Sequence, residues 1–223
     1  MYQGKVVDFP STKKKRRKKI KKPQEDIKYF TEQQIKALRR TVKDQAALAG
    51  QKGKITAIRE WMVIDLLTCS GLRVAEAADL RCGDGKVGYG QSEIYVRNGK
   101  GGKERTVQIP DSLKKHLKSF IRSKTDRGEP TGEDDHLFMG QRGAWSSQAV
   151  QQVVKKWLKA LGLYEDGKSV HALRHSYAVH YYRKTKDLRG LQKQLGHSSV
   201  KSTEIYADVL ADDIQENIKG LWG

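Results

Sequence analysis

Cysteine is scarce. The 223 residues include two, Cys69 and Cys82, too few for a disulfide framework and without the spacing of a zinc site. No apolar run approaches the roughly 20 residues that span a bilayer, and the N-terminus lacks the apolar segment of a secretory signal. A reducing intracellular setting is expected: the cytoplasm, in association with the nucleoid, or the nucleus in a eukaryotic source. Acidic residues are the other shortage. Against 44 Lys and Arg stand 26 Asp and Glu, a formal net charge of +18. Hydrophobic residues still make up 37% of the chain, which excludes a wholly disordered protein and leaves material for a buried core.

The basic excess is unevenly spread. Residues 1–22 hold ten Lys or Arg against one acid, Asp8, and the other 201 residues hold 34 against 25. Lys13, Lys14, Lys15, Arg16, Arg17, Lys18, Lys19, Lys21 and Lys22 form a block broken only by Ile20. Such a block repels itself and has nothing to bury, so residues 1–30 are expected to form a flexible arm. Phosphate neutralisation is what clustered Lys and Arg do best, and double-stranded DNA is the expected partner. A solubilising tail or a nuclear import signal are the plainer uses. An anionic membrane surface fits less well, because the arm has no amphipathic apolar face.

Beyond the arm, patterning predicts a mainly α fold with a small antiparallel β-sheet (α+β). Thr31 caps a first helix with Gln34 reaching back, and Ile35, Leu38 and Val42 keep helical spacing. Further helices are expected over residues 55–67 and 74–80. Strands at 92–96 and 104–109 flank the turn Asn98-Gly99-Lys100-Gly101-Gly102. Asp111 is expected to cap a helix to about residue 121. Ser146 opens another, with Val150, Val153, Trp157 and Leu161 on one face and Gly162 as its stop. Helices over 170–184, 187–195, 199–209 and 212–221 complete the chain.

Three arrangements carry possible chemistry. The Gly-Lys-Gly-Gly-Lys turn lacks the order of a phosphate-binding loop and lies between strands, so nucleotide hydrolysis is not expected. His171 and His175 are spaced as a chelating pair, but Arg174 between them is always cationic and no third ligand is near in sequence. The third arrangement is scattered. Arg73 follows a tight turn at Gly71, His171 and Arg174 share a helical face, His197 follows Gly196, and Tyr206 comes nine residues later. Taken singly, each has a structural explanation, such as Arg73 pairing with Glu76 or Asp79.

Together, Ser70-Gly71-Leu72-Arg73-Val74-Ala75-Glu76, His171-Ala172-Leu173-Arg174-His175 and Leu195-Gly196-His197-Ser198-Ser199, ending at Ile205-Tyr206, resemble the tyrosine recombinase (phage integrase) family. The turn from Gly99 to Arg105 resembles that family's catalytic β-hairpin. The resemblance spans about residues 31–209. It implies that Tyr206 attacks a DNA phosphodiester to form a 3′-phosphotyrosine, and that Arg73 and Arg174 clamp the non-bridging oxygens. By the same resemblance Lys100 is the general acid for the departing 5′ oxygen, His171 a general acid/base, His197 a donor to the phosphate, and Glu76 a support for Arg73. Lys103 and Arg105 are expected to contact DNA. Lys103 is the rival of Lys100, and Tyr177, Tyr181 and Tyr182 are the rivals of Tyr206. The scheme implies no cofactor and no metal.

Members of this family usually carry an N-terminal core-binding domain. It is expected to be missing here, with residues 31–223 forming a catalytic domain and C-terminal helix, a size that resembles the short invertase-like members. A fragment of a longer protein, or an arm that replaces the clamp, are the alternatives. Ile218, Leu221 and Trp222 are expected to dock on a neighbouring subunit of a DNA-bound homotetramer or on their own domain, with weak or no association without DNA. Three functions remain open: a site-specific recombinase, a topoisomerase-like relaxase of the same chemistry, and a non-cutting DNA-binding regulator.

Overall fold

The computed structural model describes residues 27–208, apart from 100, 167 and 169. The basic block, Lys100 and the helix expected over 212–221 lie outside the described residues. Helix α1 (Glu32–Gln51) starts where the sequence places it. Thr31 Oγ1 accepts from the Gln34 N–H at 3.2 Å, and the Gln34 side chain accepts from the Thr31 N–H at 2.9 Å. Leu38, Val42 and Ala46 form its buried stripe. Helix α2 (Ile55–Ser70) is buried nearly all round, with Met62, Val63, Ile64, Leu66 and Leu67 all inside. A helix apolar on every face belongs in the centre, and α2 packs against α1 and against three later helices, over residues 111–125, 147–160 and 170–185.

Helix α3 (Val74–Asp79) leads through a short turn of 3₁₀ helix to an antiparallel sheet of β1 (Gly85–Lys86), β2 (Glu93–Val96) and β3 (Arg105–Gln108), in that order. Glu93 pairs with Gln108 and Val96 with Arg105, so Ile94, Val96 and Val107 share the core face. The edge strand β1 was not expected. Helix α4 (Asp111–Thr125) ends four residues later than the patterning indicated and differs at its start: Pro110 holds the cap position, without a side-chain bond, and Asp111 is the first helical residue. An acid there still favours the positive end of the helix dipole.

A second hairpin, β4 (Met139–Gly140) and β5 (Gly143–Ala144), follows. Two residues per strand are too few to show alternation. Helix α5 (Ser147–Ala160) is capped by Ser146, whose Oγ accepts from the Ala149 N–H at 3.2 Å. Helices α6 (Val170–Thr185), α7 (Leu188–Leu195) and α8 (Lys201–Asp208) complete the described chain. Helix α7 packs on both α6 and β3, and α8 packs on α6 and α7. These contacts seat Ala178, Val179, Leu191, Leu195 and Tyr206 in a small second core beside the main one. No helix among the described residues is long and apolar enough to cross a membrane.

Candidate active site

A cleft of about 770 Å³ opens between the β2–β3 turn and helices α6 and α8, and Arg73, His171, Arg174, His197 and Tyr206 all line it. Local backbone geometry aims them. Helix α2 ends at Gly71 with φ 64°, and a Cβ at that position would overlap the Tyr177 ring. Only glycine meets both demands, and the turn delivers Arg73 at the N-cap of α3. Gly196 does the same at the end of α7, with φ 65° and the Arg105 side chain packed where a Cβ would lie. His197 follows directly, as the sequence pattern required.

Arg174 is 7% exposed. One Nη donates to the Gly71 carbonyl at 2.6 Å, and the other to the Leu195 carbonyl at 2.7 Å. These bonds tie the ends of α2 and α7 to α6 through one guanidinium. Burial and the neighbouring Arg73 lower its pKa to about 10, which leaves it cationic at neutral pH. The His197 Nε2 lies 3.3 Å from Arg174 Nη2, and its Nδ1 lies 3.0 Å from Thr203 Oγ1. A guanidinium has no acceptor, so Nε2 accepts and the ring proton sits on Nδ1. Burial, with Arg174 and Arg73 nearby, holds the His197 pKa down at about 4. His197 is therefore neutral and faces Arg174 with a lone pair.

Glu76 is the hub of the other wall. Its carboxylate accepts from the Arg73 backbone N–H at 2.8 Å and from Arg73 Nη1 at 2.7 Å. Arg105 clamps the same carboxylate in a bidentate pair, both bonds 2.8 Å. Burial alone would raise the carboxyl pKa, but these bonds overcome it and hold the value at about 2. Arg105 thus has its guanidinium on Glu76, not extended toward solvent as a plain phosphate contact would be, and its Nε donates to the Gln194 carbonyl at 3.2 Å. Gln194 also exchanges two bonds with the backbone of Gln108, each 2.9 Å. The free edge of β3 is closed by that side chain, which anchors the hairpin to α7.

Tyr206 is 2% exposed. Burial raises its pKa, and Arg174 and Arg73 offset part of that rise. Its hydroxyl lies 2.9 Å from His175 Nδ1. His171 and Lys103 are exposed at the same cleft. Among the described residues no group of three or more His, Cys, Asp or Glu is placed to hold a metal ion. The rival tyrosines are elsewhere. Tyr177 accepts from Gln194 Nε2 at 2.9 Å and, with Tyr181, lines a separate cleft, while Tyr182 packs on the second core. His175 and Gln194 are the members that sequence reasoning missed. A signal for His175 existed, since its four-residue spacing from His171 puts both on one face.

The fold has counterparts among known proteins. Among solved structures, the XerA recombinase superposes with a TM-score of 0.68 at 26% identity, covering 87% of this chain and 65% of that one. The XerH site-specific recombinase, in a post-cleavage complex with its difH substrate, gives a TM-score of 0.70 at 23% identity and covers 88% of this chain and 53% of that one. The fold is that of the tyrosine recombinases. Residues 28–212 match the model of the phage integrase family. Tyrosine recombinase XerA of Pyrococcus furiosus is 34% identical over 163 residues, 73% of this chain and 54% of that protein. Tyrosine recombinase XerD of Corynebacterium glutamicum is 34% identical over 167 residues, 73% and 52%. The chain belongs to the phage integrase family, and it spans about half the length of the curated relatives it matches.

Proposed function

We propose that this protein is a site-specific DNA recombinase that cuts and rejoins double-stranded DNA through a 3′-phosphotyrosine at Tyr206. One observation supports the proposal: a single cleft gathers Tyr206 with the guanidinium groups of Arg73, Arg105 and Arg174 and with His171, His175 and His197, while the rival tyrosines lie outside it. A phosphodiester seated on Arg73 and Arg174 would find bidentate donors for its non-bridging oxygens, where charge grows in the transition state. The Tyr206 oxygen attacks phosphorus, the bond to the 5′ oxygen breaks, and Lys100 protonates that oxygen as it leaves. Attack by a 5′ hydroxyl reverses the step. The covalent link conserves the phosphodiester energy, so no nucleotide is consumed.

His171 supplies acid/base function at the mouth of the cleft. An incoming phosphate competes with His197 for Arg174 Nη2, which frees the imidazole to turn a donor toward the anion. Glu76 and Arg105 hold Arg73 and the hairpin in register. The basic arm, with Lys103, supplies sequence-independent phosphate contacts, and two pairs of protomers assemble as a tetramer on paired sites.

The test is incubation with a nicked suicide duplex followed by denaturing electrophoresis. The wild-type chain is expected to form a covalent protein–DNA band in the presence of chelator. Tyr206→Phe is expected to abolish the band while duplex affinity stays within a few-fold. A band that survives Tyr206→Phe and vanishes in Tyr177→Phe refutes the assignment, and absence of any wild-type band favours a non-cutting regulator.

A further inference from the structure

Among the described residues the Tyr206 hydroxyl has one hydrogen-bond partner, His175, with Oη 2.9 Å from Nδ1 and the ring centroids 5.8 Å apart. At 2% exposure an unpaired phenolic O–H would carry a desolvation cost. The phenol therefore donates and Nδ1 accepts, which puts the ring proton of His175 on Nε2. His197 is occupied by Arg174 and Thr203, and neither it nor His171 hydrogen-bonds Oη in the described structure.

We propose that His175 is the base that receives the Tyr206 phenolic proton during cleavage and returns it during rejoining. This rests on Tyr206 being the nucleophile. In the forward step the O–H bond breaks, its proton passes to Nδ1, and its electron pair stays on Oη. That oxygen bonds to phosphorus as the P–O5′ bond breaks, and the 5′ oxygen takes its proton from a separate acid. His175 is left as an imidazolium. In the reverse step the 5′ hydroxyl attacks, Oη departs with the bonding pair, and Nδ1 gives the proton back.

The surroundings favour this use. Arg174 and His171 flank His175 on α6, and His197 faces it from the segment after α7. Burial, then His171 and Arg174, push its pKa below the ordinary 6.5, so at neutral pH Nδ1 offers a lone pair. The Arg174 cation opposes imidazolium formation until an anion occupies the Arg73–Arg174 pair. Proton transfer is thereby coupled to the presence of a phosphate, and Tyr206 stays a neutral phenol in the empty site.

His175→Ala and His175→Gln, each with tyrosine or 3-fluorotyrosine at position 206, separate a base from a spacer. The readout is single-turnover formation of the covalent complex on the nicked suicide duplex. Each substitution is expected to slow it by about 10²–10³-fold, with Gln, which accepts a hydrogen bond but no proton, no better than Ala. Fluorination acidifies the phenol, so both deficits are expected to shrink at least tenfold, whereas a His197→Ala deficit is not. A variant that cleaves at or above the wild-type rate, or a deficit that fluorination leaves unchanged, overturns the proposal. Should Ala not fold, as judged by thermal melting, Gln carries the same comparison. A covalent band in Tyr206→Phe would instead mean that the nucleophile itself was wrong.

Discussion

Glu76→Gln offers the sharpest physical test, because one carboxylate joins the Arg73 turn to the β2–β3 hairpin through Arg105. The side chain is 2% exposed, so solvent screens its pairs little. Its folded pKa of about 2 lies below the ordinary 4.5, and at ~1.36 kcal/mol per pH unit the gap corresponds to about 3 kcal/mol. Because the folded value is the lower one, this stabilisation is fully present above about pH 5. It is lost as pH falls through 4.5 toward 2, with roughly 2 kcal/mol gone by pH 3. Gln keeps the shape and one acceptor oxygen but cannot titrate. Urea unfolding of both proteins at pH 7, 5, 4 and 3 is the assay. Other carboxyls with lowered values, Asp65 and Glu129 among them, move both curves alike. The wild-type advantage is therefore expected to be greatest at pH 7 and to narrow by roughly 2 kcal/mol at pH 3. Curves that stay parallel from pH 7 to 3 refute the linkage between Glu76 and the two arginines.

Gly71→Ala combines a left-handed backbone with overlap against the Tyr177 ring, and is expected to cost about 2–5 kcal/mol, read as a lower urea midpoint at unchanged slope. Lys100→Ala is expected to recover cleavage on DNA whose bridging 5′ oxygen is replaced by sulfur, a leaving group that needs no proton. Arg174→Ala is not expected to recover there, and equal behaviour of the two removes the general-acid role. Deleting residues 1–22 removes nine clustered cations, each worth at most ~0.9 in the slope of log affinity against log salt. Competition from chain entropy brings the expected flattening to about three to five units, alike for all sequences. An unchanged slope means that the arm does not touch DNA.

The parts of the site that sequence reasoning reached are those set by local backbone chemistry. Gly71 and Gly196 are the punctuation of α2 and α7, and a residue placed just after such a stop has its direction fixed within a few bonds. Arg73 and His197 were legible for that reason. The spacing of His171 and Arg174 on one helix was legible because helical periodicity is local as well. What escaped was pairing between elements. Arg105 carries the signature of a DNA-contacting hairpin residue, yet it lies opposite Val96 in the sheet and beside a carboxylate 29 positions away. Lys124 belongs by type on a surface, yet it is fully buried with Nζ on the carbonyls of His136 and Leu137. Gln194 is unremarkable in sequence, and only the packing of α7 against β3 lets it close the strand edge. His175 stood in view as one of two histidines on one face, and its hydroxyl partner arrives from a helix 31 residues later. Sequence spacing states which side chains can do the chemistry. Which of them touches the nucleophile is decided by how α8 seats on α6, and that depends on the second core into which Tyr206 itself is packed.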